Sequence, residues 1–229
     1  MIPVSPRFYK PKRIVEPEIL DSLPADAPDA IRSRQDLLLV NALMGNQRWI
    51  LKQIDKHRLG RSGENWELGA GDGSLGAAVA RKFGCGINPF TALDFSPRSP
   101  RWPESWHWDQ RDILAVAEES PAADLVVANL LLHHFEDDGL ARIGRWIADR
   151  ASSLIAVEPL RAHFPHALAY ALRLAGINYV TREDIHTSID AGFQGEELPD
   201  LLGLDRQIWD VEVSTNLLGA YQVIATKRS

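Results

Sequence analysis

The chain has 229 residues, 45% of them hydrophobic and 24% charged, and its 31 acidic against 25 basic residues leave a formal charge of −6. This is the make-up of a folded globular domain, which excludes wholesale disorder, and without a concentrated basic surface it excludes a nucleic-acid partner. No apolar run approaches the ~20 residues that span a bilayer, residues 1–13 lack the apolar stretch of a secretion signal, and the single Cys85 leaves neither a disulfide nor a multi-cysteine zinc site, so a cytoplasmic monomer or homodimer away from membranes is expected.

The basic residues Arg7, Lys10, Lys12 and Arg13 alternate with prolines and read as a solvated arm without a function. Proline and acid continue to about Pro28, so a helix is expected to begin near Ser33. Leu37, Val40, Met44, Leu51 and Ile54 recur at helical spacing, with Gly45 as a break between two helices. Residues 1–60 are thus an arm and a helical lead-in, and residues 61–229 the main domain.

From Glu64 short apolar runs alternate with helical stretches, the pattern of a doubly wound α/β sheet. Strands are expected at 65–68, 90–95, 105–108, 124–129 and 154–158. Leu75, Val79 and Phe83 line one intervening helix, and Leu140, Ile143, Ile147 and Ala151 another. Pro165 opens a further helix that Gly176 can close, and Thr181 with Asp184 resembles the capping pair of a short helix ending at Gly192. Trp209, Val211 and Val213 alternate with Asp210 and Glu212, and residues 220–225 follow Asn216 and Gly219, which predicts a closing antiparallel hairpin.

The most informative stretch is Glu67-Leu68-Gly69-Ala70-Gly71-Asp72-Gly73-Ser74-Leu75-Gly76, a glycine-rich turn between a strand and a helix. Glycine allows a sharp turn and lets a ligand approach main-chain amides. Dinucleotide-binding proteins use a related loop, so the turn alone leaves the ligand open. Asp94 closes the next strand, followed by Phe95, and Asp112 with Ile113 follows the third; neighbouring strand ends converge on one crevice in such a sheet. Asp94 can accept from ribose hydroxyls and Asp112 from an adenine amino group, with Ile113 against the ring; a turn former and a helix cap are the plainer readings of the two acids.

The order Glu-x-Gly-x-Gly-x-Gly, Asp94, Asp112, then Asn129-Leu130-Leu131-Leu132-His133-His134-Phe135, resembles the class I methyltransferases. The resemblance implies a Rossmann-like sheet of seven mostly parallel strands, the last antiparallel, and S-adenosyl-L-methionine as cofactor with S-adenosyl-L-homocysteine (SAH) as product. It implies that Glu67, Gly69, Ala70, Gly71, Asp72 and Gly73 hold the amino-acid part of the cofactor, Asp94 the ribose, Asp112 and Ile113 the adenine, that Asn129 and Leu130 flank the methionyl end, and that Phe95 is a further cofactor contact. A narrower similarity, in Asp36-Leu37, Val40 to Gly45, Val157-Glu158-Pro159-Leu160-Arg161, Val180 to Asp184 and Ala191-Gly192-Phe193, is to small bacterial methyltransferases often encoded beside type III polyketide synthases. It implies a small-molecule acceptor, aromatic or polyketide-like.

His133 and His134 lie where this fold places its reacting centre, and an imidazole suits a general base; capping the next helix is the structural alternative. Glu158, Arg161, Thr181 and Arg182 cluster after the fifth strand, where mutual bracing is expected. No metal is expected: His163 and His166 have a ligand-like spacing but no third partner, and Pro165 between them. Trp102, Trp106 and Trp108 are read as packing, and the helices around Asn41, Asn46, Arg48 and Trp49 as a lid. The rivals are a non-catalytic module that binds the same cofactor and an NAD(P)-dependent oxidoreductase, which favours a Gly-x-Gly-x-x-Gly loop.

Overall fold

A computed structural model describes residues 12–24, 26–172 and 176–228. Its sheet contains β1 (Asn65–Leu68), β2 (Phe90–Leu93), β3 (Trp108–Asp109), β4 (Ala123–Asn129), β5 (Ala151–Pro159), β6 (Trp209–Thr215) and β7 (Ala220–Lys227), in the order β3-β2-β1-β4-β5-β7-β6. β1 pairs in parallel with β2 and β4, β2 with β3, and β4 with β5, while β7 runs antiparallel to both β5 and β6. The seven-stranded sheet with an antiparallel last strand is therefore as expected.

Helices α1 (Ile19–Ser22), α2 (Pro28–Met44), α3 (Asn46–His57), α4 (Ser74–Phe83), α5 (Ile113–Glu119), α6 (Asp137–Arg150), α7 (His163–Leu172), α8 (Tyr179–Asp190) and α9 (Glu197–Leu201) cover the two faces. Strand alternation divides the core between those faces. Val126, Ala128, Leu154 and Ala156 pack with Trp146 and Ile147 of α6, and Leu125, Val127, Ile155 and Val157 pack with Ile50 and Ile54 of α3 and Leu75 and Val79 of α4. The tryptophans of the second cluster meet edge to face, Trp102 at 5.6 Å from both Trp106 and Trp108, and a Cβ at Gly76 would overlap the Trp102 ring. That contact explains why α4 carries glycine on its inner face.

Several boundaries differ for local reasons. α2 begins at Pro28, earlier than expected, because proline suits the first helical turn, and Gly45 separates it from α3 in the left-handed conformation. β2 stops at Leu93, where Asp94 turns its carboxylate onto the backbone, whereas β5 is longer than expected. Asn178 caps α8 by accepting from Val180 N, in place of Thr181, and Asp184 instead accepts from Ile19 N and Leu20 N at the start of α1.

The arm is also corrected. Arg7 and Lys10 lie outside the described residues, but Arg13 is nearly buried: it donates to the carbonyls of His133, Phe135 and Ala191, pairs with Asp137 at 3.1 Å and lies over the Phe193 ring. It is a tether to the core, not a solvated cation. Among the described residues no helix is long and apolar enough to cross a membrane.

Candidate functional site

Strand order reverses between β1 and β4, and open α/β sheets leave a crevice outside the carboxyl ends of the strands at that point. A cavity of about 950 Å³ lies there. Its floor is Glu67, Gly69, Ala70, Gly71 and Asp72 at the end of β1 and in the turn that follows, with Asn129 and Leu130 at the end of β4 and Ser96 after β2; its opposite wall is α2 and α3, through Leu37, Leu38, Asn41, Asn46 and Arg48. A shallower groove of about 400 Å³ continues over Gly71 and Asp72 to Pro97, Ser99 and Arg101.

The glycine turn is held by its own amides. Gly69 N donates to Leu93 O at 2.9 Å, Gly73 N to Ala70 O at 2.8 Å, and Gly71 N to Asp94 Oδ2 at 2.8 Å. Gly69 has φ +64°, and a Cβ there would meet Leu131 at 2.5 Å, so only glycine lets the loops after β1 and β4 approach. Gly71 instead faces open space: a Cβ would meet nothing nearer than Gly69 O at 3.9 Å. Gly73 packs under Ser99 and Trp102, away from the cavity. The expectation that glycine amides are presented to a ligand is therefore corrected, because the three glycine N–H groups are already engaged.

What faces the cavity unpaired is side-chain polarity. Glu67 is 3% exposed and its Oε2 has no hydrogen-bond partner; Asn129 Oδ1 and both side-chain polar atoms of Asn46 are likewise buried without partners. Burial, with added repulsion from Asp72 and Asp94, pushes the Glu67 carboxyl well above the usual carboxylate range. A buried polar group without a partner costs about 1–3 kcal/mol, and more when charged, so such a group on a cavity floor marks a place for a complementary ligand. Next to Asn129, Leu130 holds φ +56°, a left-handed conformation uncommon for a non-glycine residue, here not at a helix cap but on the cavity floor.

Of the other expected residues, Asp94 stands behind the floor, accepting from Gly71 N and from Ser96 N at 2.8 Å, with lone pairs left for further donors. Phe95 is 80% exposed and does not line the cavity. Asp112 lies off the cavity too: it caps α5, Oδ1 accepting from Leu114 N at 2.8 Å, while Ile113 is buried in the α6-side core. The helix-cap reading of Asp112 is thus the geometry found. Gln110 Nε2 donates to Phe95 O at 3.2 Å and joins the loops that carry Phe95 and Asp112.

His133 and His134 do not line the cavity, which corrects their expected place at the reacting centre. His133 is buried with Nδ1 2.7 Å from Glu158 Oε2 and Nε2 3.8 Å from Glu18 Oε1. Burial disfavours its charge, but the two carboxylates outweigh that and push its pKa up to about 9. Such a ring holds its proton at neutral pH and offers no base. His134 lies beside it with ring centroids 4.2 Å apart, one side open to solvent, and the desolvation of its packed side, with the charge of His133, shifts its pKa down.

Glu158, fully buried, also accepts from the amides of Leu131, Leu132 and His133. Its partners are thus the loop after β4, not Arg161, which donates to Gly192 O and pairs with Glu197. Thr181 meets Ser33 at 2.9 Å. Sequence reasoning missed Glu18, Gln47 and Arg34: Arg34 lines the cavity, and Gln47 Nε2 donates to Ser74 Oγ at 2.7 Å, locking α3 onto the start of α4.

A scan against protein-family models finds no match, and neither does a search of curated proteins. Solved structures do match. The plantazolicin methyltransferase BpumL in complex with SAH superposes with a TM-score of 0.65 at 10% identity, over 89% of this chain and 92% of that one. The plantazolicin methyltransferase BamL, with a triazolic desmethylPZN analog and SAH, gives 0.66 at 9% identity over 91% and 92%. The pyocyanin biosynthetic protein PhzM gives 0.60 at 18% identity over 92% of this chain and 62% of its own. At these identities the likeness is one of fold.

Proposed function

We propose that the chain is an S-adenosylmethionine-dependent methyltransferase that acts on a small-molecule acceptor. The observation that carries this is the unpaired, buried Glu67 on the cavity floor, with Asp72 and Asp94 adding negative charge around a glycine turn whose glycine amides are taken. A cationic ammonium and sulfonium suit that floor. A pyrophosphate does not suit the floor itself, because it needs free glycine amides and a positive field at the turn, and the arginines of the cavity stand on α2, α3 and α4 instead, which argues against the nicotinamide rival. Two of the solved structures of like fold are methyltransferases that hold SAH, and the volume is that of a cofactor site.

Glu67, with Asn129, is assigned to the amino-acid end of the cofactor, and Asp94, through its remaining lone pairs, to the ribose. Phe95, beside the cavity-lining Ser96, and the free oxygen of Asp112, on joined loops, are assigned to the adenine side, whereas Ile113, buried in the α6-side core, is not. The cofactor supplies an activated methyl and its leaving group. What the protein adds is alignment and exclusion of water, by α2 and α3 over the floor. No side chain is assigned as base, since the two expected histidines stand outside the cavity. The acceptor is read as a small molecule; an aromatic or polyketide-like one rests on the motif similarity alone, and the described cavity wall carries Arg34, Arg48, Arg81 and leucines but no aromatic ring.

The test is an acceptor screen with a methyl-labelled donor on protein whose cofactor binding has been measured. Saturable binding of SAH with label transfer to a small molecule is expected. Binding of SAH with no transfer to any acceptor class would favour the non-catalytic module, and binding of nicotinamide dinucleotide alone would overturn the reading.

A further inference from the structure

On the far side of the loop after β4, the chain gathers a second polar cluster that the proposed transfer does not use. Glu18 from the N-terminal arm meets His133 and His134, and one ligand atom from each lies within 4.8 Å of the others. His133 Nδ1 is held at 2.7 Å by Glu158, itself fixed by the amides of Leu131, Leu132 and His133, so the ring is clamped with Nε2 toward Glu18. A carboxylate behind an imidazole is what orients metal-bound histidines. The arm is equally set: Ile14 N donates to Asp190 O at 3.0 Å, Asp184 accepts from Ile19 N and Leu20 N, and Ser188 donates to Glu18. Arg13, the cation anchoring this arm, has its charge met by Asp137 at 3.1 Å.

We propose that Glu18, His133 and His134 form a site for a divalent first-row transition-metal ion such as zinc. Two imidazoles and one carboxylate are a nitrogen-rich donor set that such ions prefer over magnesium or calcium, and exposed His134 leaves a position for water. On ligation His133 Nε2 releases its proton to solvent and gives its lone pair to the ion; nothing is oxidised or reduced. The ion ties the arm to the loop whose first residues, Asn129 and Leu130, line the cavity. This inference does not depend on the proposed function.

Tag-free, metal-stripped full-length protein titrated calorimetrically with zinc chloride should take up one tight equivalent, and a cobalt(II) substitute should show the visible absorption of a low-coordinate nitrogen–oxygen site. Glu18→Gln and His134→Ala, chosen because neither empties the core, should each weaken uptake about 100-fold or more, at least as much as loss of an outer-shell partner does. Zinc should raise the melting midpoint of the wild type and leave that of the two variants unmoved. Wild type without a tight equivalent, or variants that bind as the wild type does, would overturn the proposal.

Discussion

Glu67 in β1 and Glu158 in β5 are both buried carboxylates near the carboxyl ends of their strands, yet their surroundings are opposite. Glu158 accepts from three backbone amides and pairs with a histidine, whereas Glu67 Oε2 has no partner and shares its field with Asp72 and Asp94. The first arrangement is finished: it needs nothing from outside, and it sets the shape of the loop after β4. The second is costly in isolation, and the proposed function offsets that cost with a cation in the cavity. The lesson is that burial alone does not mark function; burial without a partner, facing space, does.

The largest expected effect is on the finished side. Glu158→Ala strands three amides and a buried imidazole and should cost about 3–5 kcal/mol of stability in urea denaturation. A loss within the range of a surface substitution would show that the loop does not depend on this carboxylate. On the open side the sign should reverse. Glu67→Gln removes a carboxyl whose charged form the site disfavours, so above its raised pKa the protein without ligand should melt higher while SAH binds about 10- to 100-fold more weakly, the cost of a lost charge-assisted hydrogen bond.

The pH dependence follows from the same group. Because the folded state holds the Glu67 proton above the ordinary carboxylate value, stability should fall as pH rises from that ordinary value of 4.5 through the raised folded pKa, and level off above it. Glu67→Gln should lose that fall, which melting curves across pH would display.

Smaller effects should divide the lid. Ile50 and Ile54 of α3 are fully buried, whereas α2 buries only Ala30 and Ser33 and leaves Leu38, Leu39 and Leu43 exposed. Removing everything before Gly60 would therefore open the core, and the proposed lid is narrowed to α2. Asp94→Asn should cost about 1 kcal/mol, because one of two backbone donors loses its acceptor, and should also weaken cofactor binding. Leu38→Ala should leave stability within about 0.5 kcal/mol while lowering affinity for the cofactor. Equal affinity in that variant would take α2 out of the site.

The sheet was legible because strands buried on both faces read as continuous apolar runs between helical periods, and because Asn216 and Gly219 announce the hairpin. The glycine turn, Asp94 and Asn129 were legible because turn chemistry is local. Legibility ended where partners come from far along the chain. Nothing near Glu158 in sequence indicates that it serves His133, and nothing near Arg13 indicates that it caps the carbonyls of residues 133, 135 and 191. Asp112 shows the other difficulty: a carboxylate that caps a helix start with one oxygen keeps a second oxygen, so a cap alone and a cap that also meets a ligand give the same local signal.

The central claim is that the cavity beneath α2 and α3 is built for a cationic adenosyl ligand held at Glu67. Calorimetric titration of the wild type and Glu67→Gln with S-adenosylmethionine and with NAD tests it most directly. One saturable site for S-adenosylmethionine, weakened at least tenfold by the substitution, and no binding of NAD are expected. An affinity for S-adenosylmethionine that the substitution leaves unchanged, or none in the wild type, would contradict it.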